Sequence, residues 1–268
     1  MKLLSINADA KTRKGVNYGI LTGVLYLAPS DTIAGRNTCP HASAGCRASC
    51  LFTAGRGAFS NVQKARINKT LWFFSDRTGF LNQLEKDILE LIQKAHALGL
   101  RPAVRLNGTS DIGWESIARH IMEKYSDVAF YDYTKSPVRF NAYLSGKAPA
   151  NYHLTFSKSE SNTDIAREFA GRGGNIAVVF SGDLPDTFWG RPVIDGDLND
   201  ARFTDASGVI VGLKAKGKAR QDTSGFVVHR YAPSITPNCS SHDLYVPTPG
   251  VLRQRMQAGV KEYELTLP

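Results

Sequence analysis

The chain has 268 residues, 42% hydrophobic and 21% charged, with a formal net charge of +9. That composition excludes a disordered or fibrous chain, and no apolar run approaches the roughly 20 residues of a membrane-spanning helix. Met1-Lys2-Leu3-Leu4-Ser5 is followed at once by polar residues, so a signal-peptide core is not expected. The expectation is a soluble, cytoplasmic protein with no membrane partner, forming one domain over 1–268. The basic balance fits a small anionic ligand, with nucleic acid as the alternative partner. Nothing in the composition fixes the oligomeric state.

In chain order, residues 23–28 read as the first strand. A cysteine-rich loop over 36–57 follows, and then two blocks with apolar residues three and four apart, 62–74 and 80–98, predict helices. Gly99 is placed to stop the second. Short β-rich runs then recur at 102–107, 128–133, 152–157, 175–180, 191–194, 208–213 and 226–229. Helical patterns at 114–125 and 163–171 lie between them, with Asn162 as a candidate cap of the latter. Alternating strands and helices predict an α/β fold with a parallel sheet. Eight strands point to a TIM-barrel-like (β/α)8 arrangement, distorted or incomplete where the connections between 180 and 226 lose helical pattern.

Three of the four cysteines, Cys39, Cys46 and Cys50, are spaced C-x6-C-x3-C; the fourth is Cys239. In a reducing compartment such a nest argues for metal ligation over disulfides. The x6 gap is too long for a zinc knuckle and suits a loop around a bulkier [4Fe–4S] cluster. Gly45 and small neighbours permit close backbone approach, and Arg36, Arg47 and Arg56 would offset negative charge. Cys239 is the candidate fourth ligand, with His41 and His242 as weaker ones. A cluster loop after the first barrel strand also resembles the layout of radical S-adenosylmethionine enzymes. The spacing is not their C-x3-C-x2-C, and no glycine motif for S-adenosylmethionine stands out.

In a parallel barrel the strand C-termini gather the chemistry. Asn107, Ser110, Asp111, Lys135, Lys158 and Lys214 fall there and are candidates for holding an anionic substrate. Lys64, Arg66 and Lys69, with Lys214, Lys216, Lys218 and Arg220, would serve the alternative, a zinc-stabilised nucleic-acid-binding or host-interaction protein without catalysis. Asp195 and Asp197 could hold a hard cation, although Asp-Gly-Asp reads first as a turn. Phosphate-loop, zinc-helix and nucleophile-elbow motifs are absent from the sequence.

Thr38-Cys39-Pro40, Gly45-Cys46, Cys50 and Gly55, followed by Val62-x-x-Ala65-Arg66-x-Asn68 and by Arg105-Leu106-Asn107-Gly108-Thr109-Ser110-Asp111, resemble the "gene product 88" type family of tailed phages. The resemblance covers mainly 18–115. It implies a phage protein acting in the host cytoplasm and carrying an iron–sulfur site. Cys39, Cys46 and Cys50 would be ligands, and Arg66, Asn68, Ser110 and Asp111 neighbours of the site. It supplies no substrate. The resulting expectation is a redox or cluster-dependent enzyme acting on a small anion.

Overall fold

The computed structural model describes residues 1–6 and 10–229. Met1–Arg230 form one compact unit, and Cys239 and His242 lie outside the described residues. The strands are β1 (Leu4–Ile6), β2 (Ile20–Leu25), β3 (Arg101–Arg105), β4 (Ala129–Thr134), β5 (Tyr152–Ser157), β6 (Ile176–Ser181), β7 (Thr187–Phe188), β8 (Arg191–Asp195), β9 (Ile210–Lys214) and β10 (Val227–His229). The helices are α1 (Ala10–Gly15), α2 (Ala44–Ala48), α3 (Ser60–Ser75), α4 (Arg77–Ala97), α5 (Trp114–Ile117), α6 (Arg119–Lys124), α7 (Pro137–Leu144) and α8 (Thr163–Gly171). None of the helices is long and apolar enough to cross a membrane.

The strand order is β1-β2-β3-β4-β5-β6-β9-β8-β7, with β10 also paired to β6. From β2 to β8 every pairing along this path is parallel, whereas β1 and β7 add antiparallel ends. The eight strands expected from the sequence are present. The expected (β/α)8 closure is not: among the described residues the sheet is open. No α-helix lies between β6 and β9; instead β7 and β8 form a hairpin turning at Trp189 and Gly190, both at positive φ. β9 then inserts between β6 and β8.

The helix-bearing face holds the main core, with Val104, Phe130, Phe156, Ile176 and Ile210 from the strands and Phe80, Leu84, Ile88 and Leu91 from α4. α4 begins where Asp76 accepts the Gly79 amide (2.8 Å) and stops before Gly99, whose φ is +64°. The single helix expected over 114–125 is broken at Ala118 into α5 and α6, and the bend keeps Trp114, Ala118, Ile121 and Met122 all buried. β1 is pinned by Asp87, which accepts the Leu3 and Leu4 amides (2.5 and 2.9 Å), and by Lys69, which donates to the Leu3 carbonyl.

On the opposite face, residues 200–205 pack against Ala103 of β3 and Ala129 and Tyr131 of β4. Asp200 accepts from Arg105 (3.0 Å) and the Tyr131 hydroxyl (3.0 Å), and Phe203 packs on Tyr131. Asp200 and Arg105 form part of the wall of a cavity at the strand C-termini. β10 pairs β6 at Val179–Ser181, beyond the Ile176 and Ala177 positions that β5 occupies, so it continues the line of β5 along that wall.

Candidate functional site

A cavity of about 1670 Å³ opens at the C-terminal ends of the strands. It is lined by Asn107, Ser110 and Asp111 after β3, Lys135 after β4, Lys158 after β5 and Lys214 at the end of β9. The same cavity is lined by Cys39, Cys46 and Cys50 and by Arg66 of α3. Asn68 is not brought in. It is exposed on α3, because residues two apart on a helix do not share a face.

Each thiol is placed by a different contact. Cys39 follows Thr38, whose hydroxyl donates to the Ala28 carbonyl (2.6 Å) and whose own carbonyl accepts the Asp111 amide (2.8 Å). That arrangement locks the start of the cysteine loop to the ends of β2 and β3, and the Cys39 thiol donates to the Thr109 carbonyl (3.6 Å). Cys46 lies in α2, capped by the Ser43 hydroxyl (3.2 Å), and packs beside Ala219, Phe226 and Val227. Cys50 ends the turn, its amide donating to the Arg47 carbonyl.

All three thiols are free and partly exposed. Burial pushes the Cys39 thiol up to about 11, with Asp111 and Cys50 adding to the rise. Burial and the neighbouring Cys46 also raise Cys50, while Lys135, Arg66 and the Phe52 amide oppose the rise. Cys39, Cys46 and Cys50 thus lie within one another's electrostatic reach as a chain. Among the described residues, however, no three His, Cys, Asp or Glu side chains are gathered closely enough to hold a metal ion as they stand. The donor chemistry suits a soft metal; the spacing would have to tighten around it.

The polar strand ends divide into two kinds. Asn107 and Asp111 face the cavity but are committed inward. The Asn107 Oδ1 accepts from Ser110 (2.8 Å), the Ile112 amide (2.9 Å) and the Trp114 indole (3.1 Å). Asp111 accepts from the Thr134 hydroxyl and the Lys135 amide (both 2.8 Å) and is paired with Arg139. Arg139 is held in turn by both Glu115 oxygens (2.7 and 2.9 Å) and the Tyr152 hydroxyl (3.0 Å). Lys158 is buried and donates to the Gly225 carbonyl (2.8 Å), with burial lowering its pKa. Lys135, over the Phe226 ring at 5.7 Å, and the exposed Lys214, 3.4 Å from Asp183, keep more freedom.

Asp197 is not a cation ligand in waiting. It pairs with Lys11 (2.6 Å) and Lys216 (2.8 Å) and accepts the Lys214 amide, while Asp195 closes a turn onto the Asp197 amide. The Lys64-Arg66-Lys69 ridge is also dispersed, since Lys64 stays exposed on α3 outside the cavity, whereas Arg66 and the buried Lys69, which donates to the Leu3 carbonyl, line it. Sequence reasoning overlooked Tyr26 and Phe52 and quoted Arg105 only within the family motif, without a site role; all three line the cavity. The inward position of Arg105 was readable from strand alternation; the part played by Tyr26 and Phe52 was not.

Fold and site together define a mostly parallel α/β protein with a basic, thiol-lined cavity at its strand ends. The chain belongs to the Gene product 88 family, whose model matches residues 1–230, in agreement with the motif resemblance. No curated protein and no solved structure matches it.

Proposed function

We propose that this phage-family protein binds an iron–sulfur cluster through Cys39, Cys46 and Cys50 and uses the adjoining cavity to hold a small anion for cluster-dependent chemistry. One observation carries the reading: three cysteines from the twelve-residue stretch 39–50 line the same cavity as the basic strand ends. Thiolates are the donors that iron–sulfur clusters require, and Arg66 and Lys135 beside Cys50 favour the ionised form. A bound cluster would supply electron transfer or a site for ligand binding at iron. The chain's own part is to hold the loop against β2 and β3 through Thr38, to offset charge through Arg66 and to present Lys135 and Lys214 to the anion. The host cytoplasm, as a reducing compartment, is the matching setting.

Anaerobic purification with iron and sulfide analysis and electron paramagnetic resonance tests this. Iron and sulfide in equal amounts, lost on substituting Cys39, Cys46 or Cys50 by serine, are expected. A colourless protein with stoichiometric zinc would reject the cluster in favour of a structural metal.

A further inference from the structure

The cavity lining is far more basic than its anion-holding role alone demands. Twelve of the lining residues are Lys or Arg and four are Asp, an excess of eight positive charges in a chain whose net charge is +9. Nearly all of the protein's charge imbalance is therefore gathered on one concave surface. Three ionised thiols would still leave five positive charges in excess.

Two of these cations are built into the wall and left incomplete. The Nε–H groups of Arg66 and Arg105 are both buried without an acceptor. Their other contacts are directional. Arg66 lies over the Tyr26 ring (4.7 Å) and the Phe52 ring (5.5 Å) and reaches the Phe52 carbonyl through one terminal nitrogen (3.5 Å). Arg105 lies over Tyr133 (4.8 Å) and uses one terminal nitrogen on Asp200. Aromatic rings thus hold both guanidinium planes while part of each hydrogen-bonding fork remains unused. Buried donors without acceptors are rare and costly, and a guanidinium fork matches the paired oxygens of an oxyanion.

We propose that the cavity binds a ligand carrying two or more phosphoryl groups, gripped by Arg66 and Arg105. This deepens the reading above by naming the anion, and it rests on that reading only in taking this cavity as the functional one. The charge count selects the class. A phosphate monoester brings up to about two negative charges, so two or three phosphoryl groups match the surplus that one carboxylate would leave almost untouched. Free polyphosphate and a nucleoside polyphosphate share this chemistry.

The test is calorimetric titration of the full chain, prepared metal-free, with orthophosphate, pyrophosphate, tripolyphosphate, ATP, citrate and a single-stranded oligonucleotide. Saturable binding of tripolyphosphate or ATP is expected, at least about tenfold tighter than orthophosphate or citrate. ATP tighter than tripolyphosphate assigns the nucleotide source, and equal affinities assign the polyphosphate alone; either supports the site. Arg66→Gln should weaken binding at least about tenfold with the circular dichroism unchanged. Arg105→Lys, which keeps the charge near Asp200, should weaken it by a similar factor. The proposal fails if neither polyphosphate saturates, if citrate binds as well, if the oligonucleotide binds tighter than ATP, or if both arginine variants bind as wild type. Iron and sulfide analysis decides the cluster separately, because the titration uses metal-free protein.

Discussion

The Glu160 carboxylate accepts the Gly45 amide at 2.7 Å and the Ser43 hydroxyl at 2.8 Å, joining positions 115 and 117 residues apart. Glu160 follows β5, and Gly45 sits in the first turn of α2, one residue before Cys46. A carboxylate at a helix start satisfies an otherwise unpaired amide and suits the local field. The cysteine loop is thereby fastened to the strand-end face by a side chain that is not itself a thiol neighbour in sequence.

Gly45 has no room for a side chain. A Cβ there would lie 2.2 Å from the Ser224 Oγ, 2.7 Å from the Phe226 Cβ and 2.9 Å from the Glu160 Oε2. Gly45→Ala is expected to cost about 1–3 kcal/mol, as overpacking does, and Glu160→Ala about 1.5–3 kcal/mol for its charge-assisted bonds. Urea denaturation measures both. Protease cleavage within 36–57 should rise in each variant more than cleavage elsewhere; unchanged cleavage there would show that the loop is fixed by other contacts.

Asp111 stands at the cavity, yet its bonds hold Arg139. Arg139 is largely buried between Asp111, Glu115 and Tyr152. Breaking a buried pair strands the remaining charge, at a cost of about 3–5 kcal/mol. Asp111→Ala and Arg139→Met should each destabilise by about that amount, and the double variant should cost less than the two together. Denaturation midpoints in a double-mutant cycle check this. Additive losses would mean that the two side chains act independently.

Asp197 is held down to about 2: burial raises it, but Lys11 and Lys216 together overcome that. A carboxylate depressed on folding contributes stability above its unfolded value of about 3.9, and the contribution is lost as pH falls through the folded value. Asp197→Asn should therefore be less stable than wild type by about 1–2 kcal/mol at pH 7, with the gap closing below about pH 3. Denaturant titration at both pH values reads the difference.

What the sequence made legible follows from how strongly burial stamps a pattern. Strands covered on both faces read as short apolar runs with polar ends, so 152–157 coincides with β5 and the strand-end positions around the cavity were identifiable. β1 and β7, of three and two residues, are too short to carry a period. α7 was missed although Ser136 caps it and Pro137 occupies its first turn, the ordinary signal for a helix start. Asn162 precedes α8 as expected, but its Oδ1 accepts the Ser159 amide (2.6 Å) and its Nδ2 donates to the Ser157 carbonyl, so it closes the preceding turn and does not cap the helix. Direction is the general gap. A polar strand end marks where a side chain sits, whereas Asn107 and Asp111 show that packing partners distant in sequence decide which way it faces.

Asp132 gives the clearest pH signature. It is fully buried on β4, where it accepts the Asn107 amide (2.6 Å), the Asn107 Nδ2 (3.2 Å) and the Tyr152 hydroxyl (2.9 Å). Burial pushes it up to about 7 against the pull of those donors and of Arg139. An acid raised on folding has its stabilising contribution intact below the unfolded value, about 3.9, and loses it as pH climbs through the folded value. The native state therefore weakens between about pH 4 and pH 7 by up to about 4 kcal/mol through this one group. Asp132→Asn cannot titrate, so it should be less stable than wild type at pH 5, with the deficit shrinking by pH 8. Urea denaturation at the two pH values decides it: a deficit that stays constant would mean that Asp132 is ionised in the folded protein throughout, its three donors outweighing burial.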